Sequence, residues 1–296
     1  MREGQTLAGT SRLTAYVNLV KLPHTVFALP FALVGVTLAS YHAPVTVREI
    51  GWIVLAFTAA RFAAMGFNRI ADRQIDASNP RTAMRELPRG VLSVPEASLA
   101  VAIASVVFVV AAWQLNPLCF VLSPLALVWV FFYSFTKRFT RWSHLVLGIG
   151  LAMAPAGGYL AITGRWSEPW WMLWAIALAV AAWSGGFDIL YALQDVEFDR
   201  ANQLHSVPAK LGEARAIAIA RALHAITVTS LVFVGFATSA GWLYWVGTAV
   251  AGALLLYEHT LVAVDDLSRL NAAFFTMNGV ISIVFFAFVL AERLVR

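Results

Sequence analysis

The sequence is short of charge. Of its 296 residues only 12% are Asp, Glu, Lys or Arg, while 60% are apolar. A soluble domain carries about 25% charged and 45–50% apolar residues. A water-facing globule of this size cannot hide so much apolar surface. That excludes a soluble enzyme and, with a mean hydropathy of +0.75, a disordered chain. Cysteine is nearly missing. Cys119 alone permits no internal bridge, so a disulfide scaffold is excluded and the redox compartment goes unread. Alternation is missing as well: the apolar runs are continuous, unlike those of membrane barrel strands. What remains is an all-α integral membrane protein.

Runs of about 20 apolar residues cross the hydrocarbon core as helices. Nine such runs are expected, at 15–40, 51–71, 97–115, 117–135, 143–163, 169–193, 214–238, 241–262 and 272–293, within a single polytopic domain over 1–296. The first dozen residues are polar and lead straight into a span with Lys21, Pro23 and His24. The N-terminus therefore does not read as a cleaved signal, and His24 reads as a packed or interfacial residue.

The net charge of +5 is a topology signal. With the N-terminus inside, 15 of the 21 Lys and Arg fall in cytoplasmic segments and four (Arg48, Arg165, Arg293, Arg296) outside, with Arg61 and Arg221 inside spans. This positive-inside asymmetry makes a nucleic-acid partner superfluous. Trp52, Trp113, Trp166, Trp170, Trp171, Trp242 and Trp245 gather at the non-cytoplasmic ends, as an interfacial belt does. Trp129, Trp174 and Trp183 are placed deeper, as packing or cavity-wall residues. The outer loops are short, whereas the inner loops 72–96 and 194–213 are long and polar, fit to host chemistry.

Those inner loops begin with acidic stripes. Asn68, Asp72 and Asp76 are spaced by four and share one helix face, and Asp188, Tyr191, Asp195 and Asp199 form another. Shifted by 123 positions, the first stripe lands on Tyr191, Asp195 and Asp199, and Asn79 lands on Asn202, a hint of a duplicated unit. Stacked carboxylates repel unless a cation lies between them, and the edge of a membrane adds desolvation. Acidic residues past a span end are commonly just solvated. Two such stripes on one side, each followed by basic loops, favour a metal. Oxygen donors without His or Cys suit Mg²⁺, so Asn68, Asp72, Asp76, Asp195 and Asp199 are the expected ligands. Arg81, Arg85, Lys137, Arg138 and Lys210, with Tyr133 beside them, fit the oxygens of a diphosphate, which Arg clamps bidentately and Lys meets as a point charge.

In this order and spacing the motifs resemble the UbiA superfamily of intramembrane prenyltransferases, over nearly the whole chain. The resemblance rests on Asn68-x-x-x-Asp72-x-x-x-Asp76, Asp195-x-x-x-Asp199, Arg81-Thr82-x-x-Arg85 and the Tyr133–Arg138 segment. Arg69 stands where many members have a second acidic residue, and His205-Ser206 where many have Lys-Ser. The pattern is most similar to bacterial 4-hydroxybenzoate polyprenyltransferase-like proteins, including a menaquinone-route subgroup. The resemblance implies nine helices around a cavity open to the cytoplasm and to lipid, in the inner membrane. It implies Mg²⁺-dependent transfer of a polyprenyl group from its diphosphate to an aromatic acceptor, with the headgroup between the two stripes. Naphthoate-type, haem, chlorophyllide and glyceryl phosphate acceptors are the alternatives within the family. Trp129, Tyr133 or Tyr191 would face the allylic cation, and Asp188 or Asp195 would take the aromatic proton.

Arg61, about two turns inside a span, is costly there without a cavity or partner. It either anchors an acidic stripe, the role favoured from the sequence, or pairs with an acceptor carboxylate. A secondary transporter would also carry intramembrane charge, but near the midplane, whereas these residues cluster at the cytoplasmic ends.

The charge asymmetry yields a test. With Cys119 replaced, a cysteine introduced as Ser78→Cys is expected to react with an impermeant thiol reagent only from the cytoplasmic side. Labelling from outside in intact cells reverses the orientation.

Overall fold

In a computed structural model of the chain, residues 11–21, 28–262, 267, 269–270 and 276–296 are described. Pro23 and His24, residues 1–10 with Arg2, and parts of the first and ninth expected spans lie outside them. The described residues are helical throughout their regular structure, with no strand.

Two compact units form, one from 1–26 and 47–135, the other from 27–46 and 136–296. The first contains α1 (Arg12–Leu19), α3 (Val47–Ala71), α4 (Arg73–Ser78), α5 (Val94–Leu115) and α6 (Pro117–Thr136). The second contains α2 (Leu29–Ala39), α7 (Ser143–Thr163), α8 (Trp171–Tyr191), α9 (Val196–Ala201), α10 (Val207–Leu211), α11 (Glu213–Ala237), α12 (Trp242–Thr260) and α13 (Asn278–Val295).

Seven helices among the described residues are long and apolar enough to cross a bilayer: α3, α5, α6, α7, α8 running on through α9, α11 and α13. The nine expected runs differ from this at two places. The run 15–40 is represented by α1 and an 11-residue α2 on either side of the undescribed residues 22–27. The run 241–262 forms α12 in the expected place, with an aromatic start and Glu258 and His259 in its last turn, and is not among the seven.

Helix ends follow local chemistry. Ser93 and Glu96 form a reciprocal capping box at the start of α5, and Gly164, at φ 61°, closes α7 in the left-handed conformation. Lipid offers no hydrophobic drive between spans, so close contact depends on small residues. Gly148 of α7 is such a contact: a Cβ there would collide with the Ala181 carbonyl of α8. In the second unit Trp183 is fully buried, its ring 4.8 Å from Phe31 and 4.9 Å from Phe187. Trp174, expected deep, is instead 59% exposed, with its ring 5.3 Å from Trp166 near the other end of its helix. His224 of α11 meets His259 of α12 at 3.0 Å and the Trp183 carbonyl of α8 at 3.3 Å.

Each acidic stripe rests on an apolar cluster of its own unit. Leu19, Val20, Leu92 and Ala97 pack with Met65 and Ile70 near the first. Ile189, Leu190, Leu193, Val207 and Ile217 pack around the second.

The glycine contact predicts a contrast. Gly148→Ala is expected to lower the thermal midpoint of the detergent-solubilised chain, since overpacking costs about 1–3 kcal/mol. Gly157→Ala, with open space around the added Cβ, is expected to hold or raise it.

Candidate metal and diphosphate site

The first stripe lies across a helix break. α3 ends at Ala71, and Asp72 leaves helical geometry at φ −96°, ψ 7° to cap the six-residue α4. The i,i+4 register survives: Asp72 N donates to Asn68 O at 2.9 Å and Asp76 N to Asp72 O at 2.8 Å. Asn68 Nδ2 donates to Asp72 Oδ2 at 3.0 Å, so this amide steadies the carboxylate. Asp76 is buried. Beyond α4 the chain doubles back: Arg81 N donates to Asn79 Oδ1 and the Thr82 hydroxyl to Asp76 O, each at 2.9 Å. That turn delivers Arg85 Nη1 to Asp76 Oδ1 at 2.6 Å. Arg69 is buried too, donating from Nε to Leu19 O at 3.3 Å, with Nη1 4.0 Å from Asp76 Oδ2. The residue that departs from the family pattern thus lies against the stripe as a counter-charge.

The second stripe repeats the break. After α8 a 3₁₀ turn covers Ala192–Asp195, and Asp195 at φ −106°, ψ 7° caps the six-residue α9. Asp195 and Asp199 are both buried. Lys137 Nζ lies 2.7 Å from Asp199 Oδ1, while its own carbonyl accepts from His205 N at 2.8 Å. The backbone break therefore falls at the same register in both motifs, and each distal Asp carries one close cation.

The other expected residues are distributed as follows. Arg81, Tyr133 and Tyr191 are half-buried, and Arg138 and Lys210 are exposed. Lys210, in the last turn of α10, forms no ion pair with the second stripe among the described residues. Arg61 has no carboxylate paired with it among the described residues, and its Nε is buried without a hydrogen-bond acceptor. The stripe begins seven residues further on, about 10 Å along the helix, beyond reach of a direct ion pair. Asp188 is not a lone carboxylate. Its Oδ2 lies 2.6 Å from His144 Nδ1, a partner that sequence reasoning missed because His144 is 44 positions away and reads as an ordinary first-turn residue of α7.

The donor set fits a hard cation. Asp76 Oδ2, with the Arg69 guanidinium 4.0 Å away, and Asp199 Oδ2 are buried with no hydrogen-bond donor, an arrangement that costs free energy until a donor or a closer cation meets them. No cluster of three or more His, Cys, Asp or Glu is gathered among the described residues. The carboxylates come in pairs, so an ion here would complete its shell with water or ligand oxygens, as Mg²⁺ commonly does.

Comparison with known proteins agrees over most of the chain. The model of the UbiA prenyltransferase family matches residues 28–280. A protein named 4-hydroxybenzoate octaprenyltransferase from Nitrosospira multiformis is 30% identical over 290 residues, covering 97% of this chain and 98% of that one. The protein of the same name from Aromatoleum aromaticum is 29% identical over 288 residues, covering 95% of each. The apo structure of a UbiA homolog from Aeropyrum pernix K1 superimposes with a TM-score of 0.83 at 33% identity, over 92% of this chain and 98% of that one. A UbiA homolog from Archaeoglobus fulgidus, bound to DMAPP and Mg²⁺, shares the fold with a TM-score of 0.71 at 22% identity, over 95% and 99%.

Beside the first motif, burial pushes the carboxyl of Glu86 above its usual range, against the opposing pull of its own backbone N–H and of Arg69, Arg85 and Arg89. A raised folded-state value means the folded chain holds the proton more tightly than the unfolded one. Stability from this group is then present at acid pH and lost as pH rises through the folded value. The thermal midpoint of wild type minus that of Glu86→Gln is expected to fall between pH 4.5 and 7.5. A difference that rises with pH contradicts this environment.

Proposed function

The chain belongs to the UbiA prenyltransferase family and is a membrane polyprenyltransferase, and from that premise we propose that it transfers a polyprenyl group from its diphosphate to 4-hydroxybenzoate or a related quinone precursor. The observation that carries the reading is the pair of matching breaks, each presenting a buried carboxylate oxygen without a donor. The relatives named 4-hydroxybenzoate octaprenyltransferase support the acceptor class, and the homolog holding DMAPP and Mg²⁺ supports the donor and the ion. The motifs belong on the cytoplasmic side of the inner membrane, following the charge asymmetry.

Asp72, Asp76, Asp195 and Asp199 are the proposed ligands, with Asn68 holding Asp72 in place. Mg²⁺, when bound, supplies charge neutralisation for the departing diphosphate. Arg85 and Lys137, each now on an Asp of its motif, serve the diphosphate oxygens together with Arg81, Arg138 and Lys210. Ionisation leaves an allylic cation, which the ring faces of Tyr133 and Tyr191 stabilise. The acceptor attacks through ring carbon, and Asp188, held by His144, takes the ring proton. Arg61, with no carboxylate of the described chain beside it, pairs with the carboxylate of the acceptor.

Asp72→Ala and Asp195→Ala are expected to abolish transfer in membranes containing labelled polyprenyl diphosphate while the protein still inserts. EDTA is expected to silence the wild type and Mg²⁺ to restore it, and full activity in EDTA removes the metal reading. Arg61→Ala is expected to raise the apparent KM for 4-hydroxybenzoate roughly 30-fold or more, the size of a lost desolvated charge contact, and to leave the KM for the diphosphate nearly unchanged. An unchanged acceptor KM removes the carboxylate pairing.

A further inference from the structure

The seam between α7 and α8 joins Asp188 of the second stripe to a histidine that lies outside both acidic motifs. His144 is 3% exposed in the first turn of α7. Its Nδ1 lies 2.6 Å from Asp188 Oδ2, and its Nε2 lies 3.4 Å from the backbone N of Val207. A backbone N–H can only donate, so Nε2 contributes its lone pair and the ring proton sits on Nδ1, donated to Asp188. Both ring nitrogens are thereby committed, and the tautomer is set by the fold.

The two partners differ in access. The imidazole side chain is 4% exposed and the carboxylate 20%. Asp188 Oδ1 receives no donor among the described residues. One oxygen is held from the inside while the other stays accessible. Val207, fully buried, opens α10 directly after the Ser206 cap, so the same ring ties the segment following Asp199 to α7.

We propose that His144 is a positioning residue for prenyl transfer, fixing through Nδ1–H the orientation of Asp188 so that Oδ1 meets the proton released by the acceptor. This rests on Asp188 being the base, as argued above. In that step the acceptor carbon has bonded to C1 of the prenyl group, and the diphosphate has left with the C1–O electron pair. The C–H bond then breaks, its proton passes to Asp188 Oδ1 and its electron pair returns to the ring. His144 keeps its own proton throughout and touches neither substrate.

Isosteres separate this role from plain packing. Asn at position 144 keeps an amide N–H near the place of Nδ1 and loses the acceptor for Val207 N. Gln reaches the place of Nε2 and loses the donor to Asp188. The experiment is steady-state kinetics on the purified full chain in lipid nanodiscs, varying each substrate for His144→Ala, His144→Asn, His144→Gln and Asp188→Asn, with thermal midpoints alongside. His144→Ala is expected to lower kcat by about 10- to 100-fold, the scale of a misaimed catalytic group, with either KM moving less than about threefold. His144→Asn is expected to recover most of kcat and His144→Gln little of it. In an Asp188→Asn background the His144→Asn and His144→Gln changes are expected to cost nothing further, because the two residues act as a unit. Should His144→Ala fail to fold, the Asn and Gln variants carry the comparison. Recovery by Gln as complete as by Asn overturns the proposal in favour of the Val207 contact, and so does undiminished kcat in His144→Gln. A fully active Asp188→Asn enzyme removes the base reading itself. An inactive Asp188→Asn beside an unimpaired His144→Gln removes only the role of His144.

Discussion

Like charges stacked one helical turn apart, at the edge of an apolar helix, repel with little water to screen them. Much of the polar architecture answers that constraint. Each motif carries its second carboxylate in a six-residue helix beyond a break, with the residue just before that helix at ψ 7°. Each then brings a cation from outside that helix to the distal Asp: Arg85 from the turn after α4, and Lys137 from just beyond α6. The arrangement balances the charge of one oxygen and leaves the other buried without a donor. Such a pair is stable enough to fold and still has capacity for a stronger cation.

Much of this was legible in the sequence, for identifiable reasons. The spans announce themselves because lipid admits only long apolar helices, and 143–163 coincides with α7 to the residue. The stripes were legible because i,i+4 spacing is a one-dimensional signal. The 123-residue shift that pairs Asp72 with Asp195 and Asp76 with Asp199 corresponds to a shared backbone break, down to the residue at which it falls. What the sequence concealed was tertiary. The imidazole of His144 reaches Asp188 across 44 positions, and Lys137 reaches Asp199 across the whole of α7 and α8. The position of Trp174 was misread because depth along a helix says nothing about which face a ring occupies. For Arg61 the sequence left two roles open, and the structure adds that its Nε is buried without an acceptor.

Arg69 shows how a departure from a family pattern can be compensated in place. Where a further carboxylate is common, this chain has a buried guanidinium, satisfied by the Leu19 carbonyl and lying 4.0 Å from Asp76. It replaces a repulsion with an attraction, and it ties α1 to the helix that carries the first motif. The proposed ligands Asp72 and Asp76, with Asn68, keep their spacing.

The contact between Gly148 and the Ala181 carbonyl lies four residues along α7 from His144 and seven along α8 from Asp188. One contact leaves a pair of helices free to pivot, but two separated along the seam do not. At the glycine, backbone meets backbone; at the imidazole, turning α8 would pull Asp188 away from the ring. Close-packed seams of this kind hold a small number of discrete arrangements rather than deforming smoothly. α7 and α8 are therefore pinned to each other at two points along the seam, so a displacement of either helix has to carry its partner with it.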